Sequence, residues 1–245
     1  MPEQSLEPMS VSIMSVSIIV PVWQEAEVIE DSLRALEPLR RAGHEVLVVD
    51  AGSPDGSARK AAPLCDRVIE SGKGRAVQMN AGASAARGNL LLFLHADTQL
   101  PERALAELRN FYTHSERSWG RFDVRLNGER PLFRVIAWFM NQRSRLTGIC
   151  TGDQAMFLRR DAFEALGGFQ PMPLMEDVEF SRRLCLVSRP FCIKEPVVTD
   201  SRRWRKHGAW RTVFLMWQLR WRYWRGESPE SLAQIYRSDV RNASK

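Results

Sequence analysis

The chain has 245 residues, of which 44% are hydrophobic and 26% charged, and a net charge of +6. That apolar content supports a sizeable core and excludes disorder as the default. No apolar run approaches the roughly 18–20 residues that cross a bilayer, and the opening MPEQSLEPMSVSIM is acidic before it is apolar, unlike a secretory leader.

Val16 to Val22 is a β-branched run that predicts a first strand. Glu25 to Arg41 carries Val28, Ile29, Leu33, Leu36 and Leu39 at helical spacing. Glu45–Asp50 predicts a second strand, Pro54–Leu64 a short helix, Arg67–Glu70 a third strand and Lys73–Arg87 an alanine-rich helix. Leu90–Leu94 is apolar throughout, so this fourth strand is expected to be buried on both faces. After Pro101, residues 101–113 and 132–145 read as helices, 119–126 as a strand, 167–173 as a loop and about 175–186 as a helix. Alternating strand and helix imply an α/β fold: a mostly parallel central sheet with helices on both faces. The expected organisation is a lead-in over 1–14, one α/β domain over 15–200 and a helical tail over 201–245.

Ligands of an open parallel sheet bind outside the carboxyl ends of its strands. The first strand ends in Pro21-Val22-Trp23-Gln24-Glu25, the second in Asp50-Ala51-Gly52-Ser53, the fourth in His95-Ala96-Asp97. Asp50 can accept hydrogen bonds from a base or ribose, with Gly52 letting a ligand come close. Equally, Asp50 or Ser53 can cap the next helix. His95 and Asp97, two apart in extended chain, face one side and suit Mn²⁺ or Mg²⁺; a local turn is the competing reading. Glu176 and Asp177 complement a helix dipole, or supply a base after the glycine loop. His44 and His114 read as surface residues, and His207 as a solvated residue or one within reach of a metal or phosphate.

The set occurs in order: SIIVPV, Glu25, VVDAGSPDGS, GKGRAVQMNAGASAARGN, FLHAD, then GGFQPM and MED. Together these motifs resemble family 2 glycosyltransferases, over roughly residues 15–190, and most closely a bacterial subgroup associated with radical-SAM and selenium-domain proteins. The resemblance implies the nucleotide-sugar-binding GT-A fold. It implies that Pro21, Val22, Glu25, Asp50, Gly52 and Ala96 hold the nucleoside, with Lys73 and Arg75 beside the pyrophosphate. It further implies Asp97 as the metal-binding end of a DXD motif, Asp177 as the catalytic base with Glu176 beside it, and Gly152, Asp153 and Gly168 on the acceptor side. His207 would complete the metal shell. The sequence departs from the family pattern twice: His95 replaces the first DXD aspartate, and Ala51 the second aspartate of Asp-Asp-Gly-Ser.

The implied reaction is inverting, metal-assisted transfer from a nucleoside-diphosphate sugar, UDP-linked, to an unidentified hydroxyl. A cation and arginine offset the leaving diphosphate's charge while a carboxylate takes the acceptor proton. A sugar-nucleotide transferase would want a glycine-rich signature where VPVWQEAE stands. A catalytically degenerate membrane-surface or sugar-nucleotide-binding module is the alternative outside that chemistry.

Residues 201–245 carry eleven Lys or Arg against three acids, so the basic character belongs to the tail. Trp210, Val213, Phe214, Trp217, Trp221 and Trp224 recur near helical spacing beside Arg211, Arg220, Arg222 and Arg225. The expected roles are packing on the domain or on a second copy, as in a homodimer, or seating in a membrane interface. No nucleic-acid module accompanies them, so no nucleic-acid partner is expected. Arg202, Arg203, Arg205 and Lys206 could form a lid over the diphosphate. Cys65, Cys150, Cys185 and Cys192 fit no zinc spacing. Buried free thiols are expected, in a cytoplasmic protein that can sit peripherally on the membrane's inner face.

Overall fold

The computed structural model describes residues 13–201 and 208–242. Most of the lead-in, His207 and the four lid cations at 202, 203, 205 and 206 lie outside the described residues.

In chain order the elements are β1 (Val16–Val22), α1 (Ile29–Arg41), β2 (Glu45–Asp50), α2 (Ser57–Ala61), β3 (Arg67–Glu70), α3 (Arg75–Ala85) and β4 (Leu90–Phe93). There follow β5 (Thr98–Gln99), α4 (Ala104–His114), β6 (Trp119–Leu126), α5 (Pro131–Thr147), β7 (Phe157–Arg159), α6 (Arg160–Ala165), α7 (Glu176–Val187), β8 (Phe191–Thr199), α8 (Ala209–Trp224) and α9 (Pro229–Asn242). Among the described residues the strands form one sheet, ordered β3-β2-β1-β4-β7-β6-β8-β5. β1, β2, β3 and β4 pair in parallel, as do β6 and β8; β7 runs antiparallel to both its neighbours, and β5 to β8.

Successive residues of a strand point to opposite faces, and β1, β2 and β4 are apolar on both. Ile18, Val20, Val46, Val48 and Leu92 therefore pack with Ile29, Leu33 and Leu36 of α1 and Leu108 and Phe111 of α4. Ile19, Leu47, Val49 and Leu91 pack with Ala76, Met79 and Ala83 of α3 and Phe180 and Leu184 of α7. α3 lies so close that a Cβ at Gly82 would come 2.4 Å from Ile19 Cγ2. Pro21 has no N–H to give a ladder, and it stands where β4 has already ended opposite Ile19.

Four elements escape the periodicity reading: β5, β7, α6 and β8. The first three are too short to show a period. β8 reads FCIKEPVVT, and its register against β6 shifts between Phe122 and Asp123, with Pro196 facing Asp123 just past the shift.

The tail packs on the body and lines part of its cleft. Leu215 and Leu219 of α8 bury against Met175 and, from α9, Leu232. Trp210, Phe214, Trp217, Trp221 and Trp224 of α8 all remain 57–80% exposed, the first three of them lining the cleft. No described helix is long and apolar enough to cross a membrane. The four cysteines are unpaired, but only Cys65 and Cys150 are buried; Cys185 and Cys192 are half-buried.

Candidate active site

A cleft of about 1100 Å³ lies at the carboxyl ends of β1, β2 and β4, walled on its far side by α5 and α8. That exceeds the roughly 300–1,000 Å³ of common small-molecule pockets and can take two reactants together. Of the residues expected in the site, Pro21, Glu25, Lys73, Arg75, His95, Ala96, Asp97 and Asp153 line it. Val22 does not: its side chain is wholly buried in the core.

The DAGSPDGS turn holds the loop after β1. Ser53 Oγ accepts from Gln24 N at 3.0 Å, Ser57 Oγ from Glu25 N at 2.9 Å, and Asp55 Oδ2 from Ala26 N at 3.0 Å. Asp50 does not cap α2. Its Oδ2 accepts from the amides of Gly52 (2.9 Å) and Ser53 (2.8 Å) and so shapes the turn, while its buried Oδ1 has no hydrogen-bond partner among the described residues. Gly52 takes φ +78°, which the turn requires. Asp50 lies just behind the cleft-lining Ala51. Lys73 Nζ sits 4.0 Å from the centre of the Trp23 ring, a cation–π contact at the cleft edge.

His95 and Asp97 are not in extended chain. β4 ends at Phe93, and Thr98 N donates to His95 O at 3.0 Å, closing a turn. The two residues still line one cleft, but by way of this turn. His95 Nδ1 stands 3.5 Å from Asp153 Oδ1. Asp97 instead neighbours Asp200, whose amide donates to Asp97 O at 3.2 Å. No group of three or more His, Cys, Asp or Glu that could hold a metal ion is present among the described residues. Asp97 and Asp200 both line the cleft, and a diphosphate-bound Mg²⁺ or Mn²⁺ needs only one or two protein oxygens.

Asp177 is half-buried and is held by backbone. Oδ2 accepts from Gly152 N at 2.8 Å and Oδ1 from Val178 N at 2.7 Å. Ser181 of α7 braces the same strip of chain, accepting from Cys150 N at 3.1 Å and donating to Asp177 O at 2.6 Å. Asp153, rather than Asp177, faces the cleft directly. Burial, and then the neighbouring Asp177 charge, push the Glu176 carboxyl above its usual range, with Arg75 and His95 opposing. Arg75 is flanked by protein yet open to the cleft. Desolvation works against its charge, but Glu176, Tyr236, Asp153 and Asp177 outweigh it and raise its pKa.

Gly168 is not brought to the site. It sits in a left-handed turn where a Cβ would meet Asn80 Oδ1 at 2.7 Å, and its carbonyl accepts from Arg183 Nη2. The glycine pair therefore forms the tight turn that precedes α7.

Sequence reasoning missed several contributors. Gln78 is buried and donates from Nε2 to the carbonyls of Val22 and Val49, both at 2.8 Å, tying β1 to β2 beneath the cleft. Arg143 of α5 and Arg220 of α8 line the far wall. Gln24, Ala155 and Met175 are the non-glycine residues with positive φ among those described. They flank, respectively, the β1 loop, the Gly152–Gln154 turn and the start of α7, and such strain concentrates at functional sites.

The family model for Glycosyl transferase family 2 matches residues 17–167. The chain is 29% identical over 165 residues to an undecaprenyl-phosphate 4-deoxy-4-formamido-L-arabinose transferase of Klebsiella pneumoniae (strain 342), covering 60% of this chain and 48% of that protein. It thus spans about half the length of the curated relatives it matches. A mannosyltransferase from Pyrobaculum calidifontis, solved with GDP-Man and Mn²⁺, superposes with a TM-score of 0.62 at 23% identity, covering 84% of this chain and 62% of that one. Glucosyl-3-phosphoglycerate synthase from Mycobacterium tuberculosis, solved with Mn²⁺, UDP-Glc and phosphoglyceric acid, gives 0.58 at 16% identity, covering 77% and 73%. These likenesses establish the GT-A fold, and with the matched motifs from β1 through α6 the chain belongs to glycosyl transferase family 2.

Proposed function

We propose that the chain transfers a sugar from a nucleoside-diphosphate donor, UDP-linked, to an acceptor oxygen, with inversion at the anomeric carbon. The observation that carries this reading is the buried Oδ1 of Asp50, without a hydrogen-bond partner among the described residues and just behind Ala51 of a cleft that Asp153 also lines, with Asp177 held behind it on the Gly152 amide. A buried carboxylate oxygen without a donor is costly, and the ring N–H of uracil is a suitable donor for it. Lys73 and Arg75 meet the diphosphate. Asp177 takes the acceptor proton as the oxygen attacks opposite the leaving group, and a single base working from that side gives inversion.

Mn²⁺ or Mg²⁺ fits the Asp97 and Asp200 side of the cleft, where it would offset charge on the leaving diphosphate. His95, set against Asp153, belongs to the acceptor side in this reading. On its motifs we assign the chain to the bacterial subgroup associated with radical-SAM and selenium-domain proteins.

Calorimetry with UDP, GDP, CDP and TDP, each with and without Mn²⁺, tests the donor half on wild type and Asp97→Ala. UDP should bind only with metal and only with Asp97 intact. Binding of none of the four would overturn the transferase reading and leave the degenerate module.

A further inference from the structure

The wall opposite the strand ends has a chemistry that the donor does not use. On α5, Val135 and Phe139 are 49% and 57% exposed and are followed one turn later by Arg143. On α8, Trp210, Phe214 and Trp217 are 73%, 71% and 65% exposed and are followed by Arg220. All seven residues line the cleft. Spacings of three and four keep each series on one helix face. Each helix therefore presents an apolar strip, about 12–15 Å long at 1.5 Å per residue, that leads to an arginine.

The two arginines are short of partners. Arg143 Nε and Nη2 and Arg220 Nε are buried without a hydrogen-bond acceptor among the described residues. A guanidinium keeps its charge and presents donors in a fixed fork, so an arginine pair like this suits a multivalent oxyanion. Burial, and then each other's charge, lower the Arg143 pKa to about 10, which still leaves it charged at neutral pH. Burial also lowers that of Arg220, against the pull of Asp177 and Asp153. Both arginines thus stand within the field of the acceptor-side carboxylates.

We propose that Arg143 and Arg220 form an anion site for the acceptor, and that the acceptor is an amphiphile: a phosphate group on a long apolar chain. The phosphate sits between the two guanidiniums and the chain lies along the strips of α5 and α8, with its far end toward Val135 and Trp210. A water-soluble phosphate would leave those strips bare, and an uncharged lipid would leave the arginines unpaired. The assignment of this wall to the acceptor rests on the transferase reading; the binding site does not.

Calorimetry on the full chain tests it with dodecyl phosphate below its micellar concentration, inorganic phosphate, dodecanol, and UDP with Mn²⁺. Wild type should bind dodecyl phosphate more tightly than either half-ligand. Arg143→Gln and Arg220→Gln should each weaken that binding about tenfold or more, with Arg→Lys retaining part of it and UDP affinity unchanged. Thermal melting shows whether each variant is folded, and the Lys variants serve where a Gln variant is not. Dodecyl phosphate binding untouched by all four substitutions would overturn the site. So would a parallel fall in UDP affinity, which would give the arginines to the donor diphosphate, or inorganic phosphate binding as tightly as the alkyl phosphate. Failure of UDP alone to bind would count against the donor reading and leave this site standing.

Discussion

The Nε2–Cε1 edge of the His95 imidazole lies against Gly152: a Cβ placed on that glycine would come 2.3 Å from His95 Nε2 and 2.4 Å from Cε1. The amide of the same glycine donates to Asp177 Oδ2. Gly152 thus fixes two side chains at once, and the reason is space and not backbone freedom, since its φ is not positive. Gly152→Ala must push His95 away and disturb the Asp177 contact. We expect transfer to fall about a hundredfold, the scale on which small misplacements act, with UDP binding retained. Steady-state kinetics beside calorimetry check this; a variant with wild-type kcat/KM would show that His95 has no part in the site.

Asp177 and Asp153 divide the evidence for a base between them. Asp177 is the base that the resemblance implies but has both oxygens on backbone amides, whereas Asp153 faces the cleft beside His95. Asp177→Asn should lower kcat about 10²–10⁴-fold, the usual contribution of a positioned base, while donor affinity holds. Asp153→Asn should act mainly on acceptor KM. The reverse pattern in the two variants would move the proton-accepting role to Asp153.

In the proposed reading the Asp50 carboxylate shapes the turn with one oxygen and recognises the base with the other. Asp50→Asn can keep an oxygen on the Gly52 and Ser53 amides but replaces the unpartnered Oδ1 by an amide group that donates. UDP affinity should fall about ten- to a hundredfold, as for a lost hydrogen bond to a charged group, with little change in melting temperature. Asp50→Ala should also melt earlier, because two part-buried turn amides then lose their acceptor. Equal UDP binding by wild type and Asp50→Asn would exclude this oxygen from base recognition.

On α8 the leucine face is occupied and the aromatic face is not: Leu215 and Leu219 are buried, while Trp221 and Trp224 are 57% and 80% exposed. Such a helix, with Arg222 and Arg225 alongside, suits the interface of a lipid bilayer. Replacing both Trp221 and Trp224 by Ala should reduce sedimentation with phosphatidylglycerol-containing vesicles about tenfold, without loss of UDP binding. Unchanged sedimentation would assign the stripe to a protein partner or a second copy.

What could be read from the sequence was what local chemistry decides. The strands β1, β2, β3 and β6 have the limits that their apolar runs predict, because each run is bounded by turn formers or charges. Of the polar residues at the strand ends, Glu25, His95 and Asp97 line one cleft, while Asp50 stays behind Ala51. The extended-chain argument for His95 and Asp97 failed because a four-residue turn needs only one hydrogen bond, which leaves no periodic trace. Gly168 was misplaced for a similar reason: a glycine pair looks the same whether it borders a ligand or packs on Asn80. Arg143 and Arg220 were invisible as a pair, since 77 residues separate them in the chain and only the docking of α8 beside α5 joins them in one wall. Their individual signal, an arginine ending an apolar strip, was present but reads equally as a solvated helix face.

Glu176 links the site to stability through pH. Its carboxyl is buried beside Asp177, and burial first and that charge second raise its pKa above the ordinary 4.5. Below pH 4.5 both the folded and the unfolded chain hold the proton, so Glu176 contributes no slope there. As pH rises past 4.5 the unfolded chain releases the proton while the folded chain keeps it. The unfolded state then binds fewer protons, and stability falls with pH until the folded carboxyl also ionises. Glu176→Gln removes that descending arm. Urea unfolding at pH 4, 5.5 and 7 should show little difference between wild type and variant at the lowest pH and a growing advantage for the variant above it. A difference independent of pH would mean that Glu176 is ionised in the folded protein and that Arg75, rather than burial, sets its state.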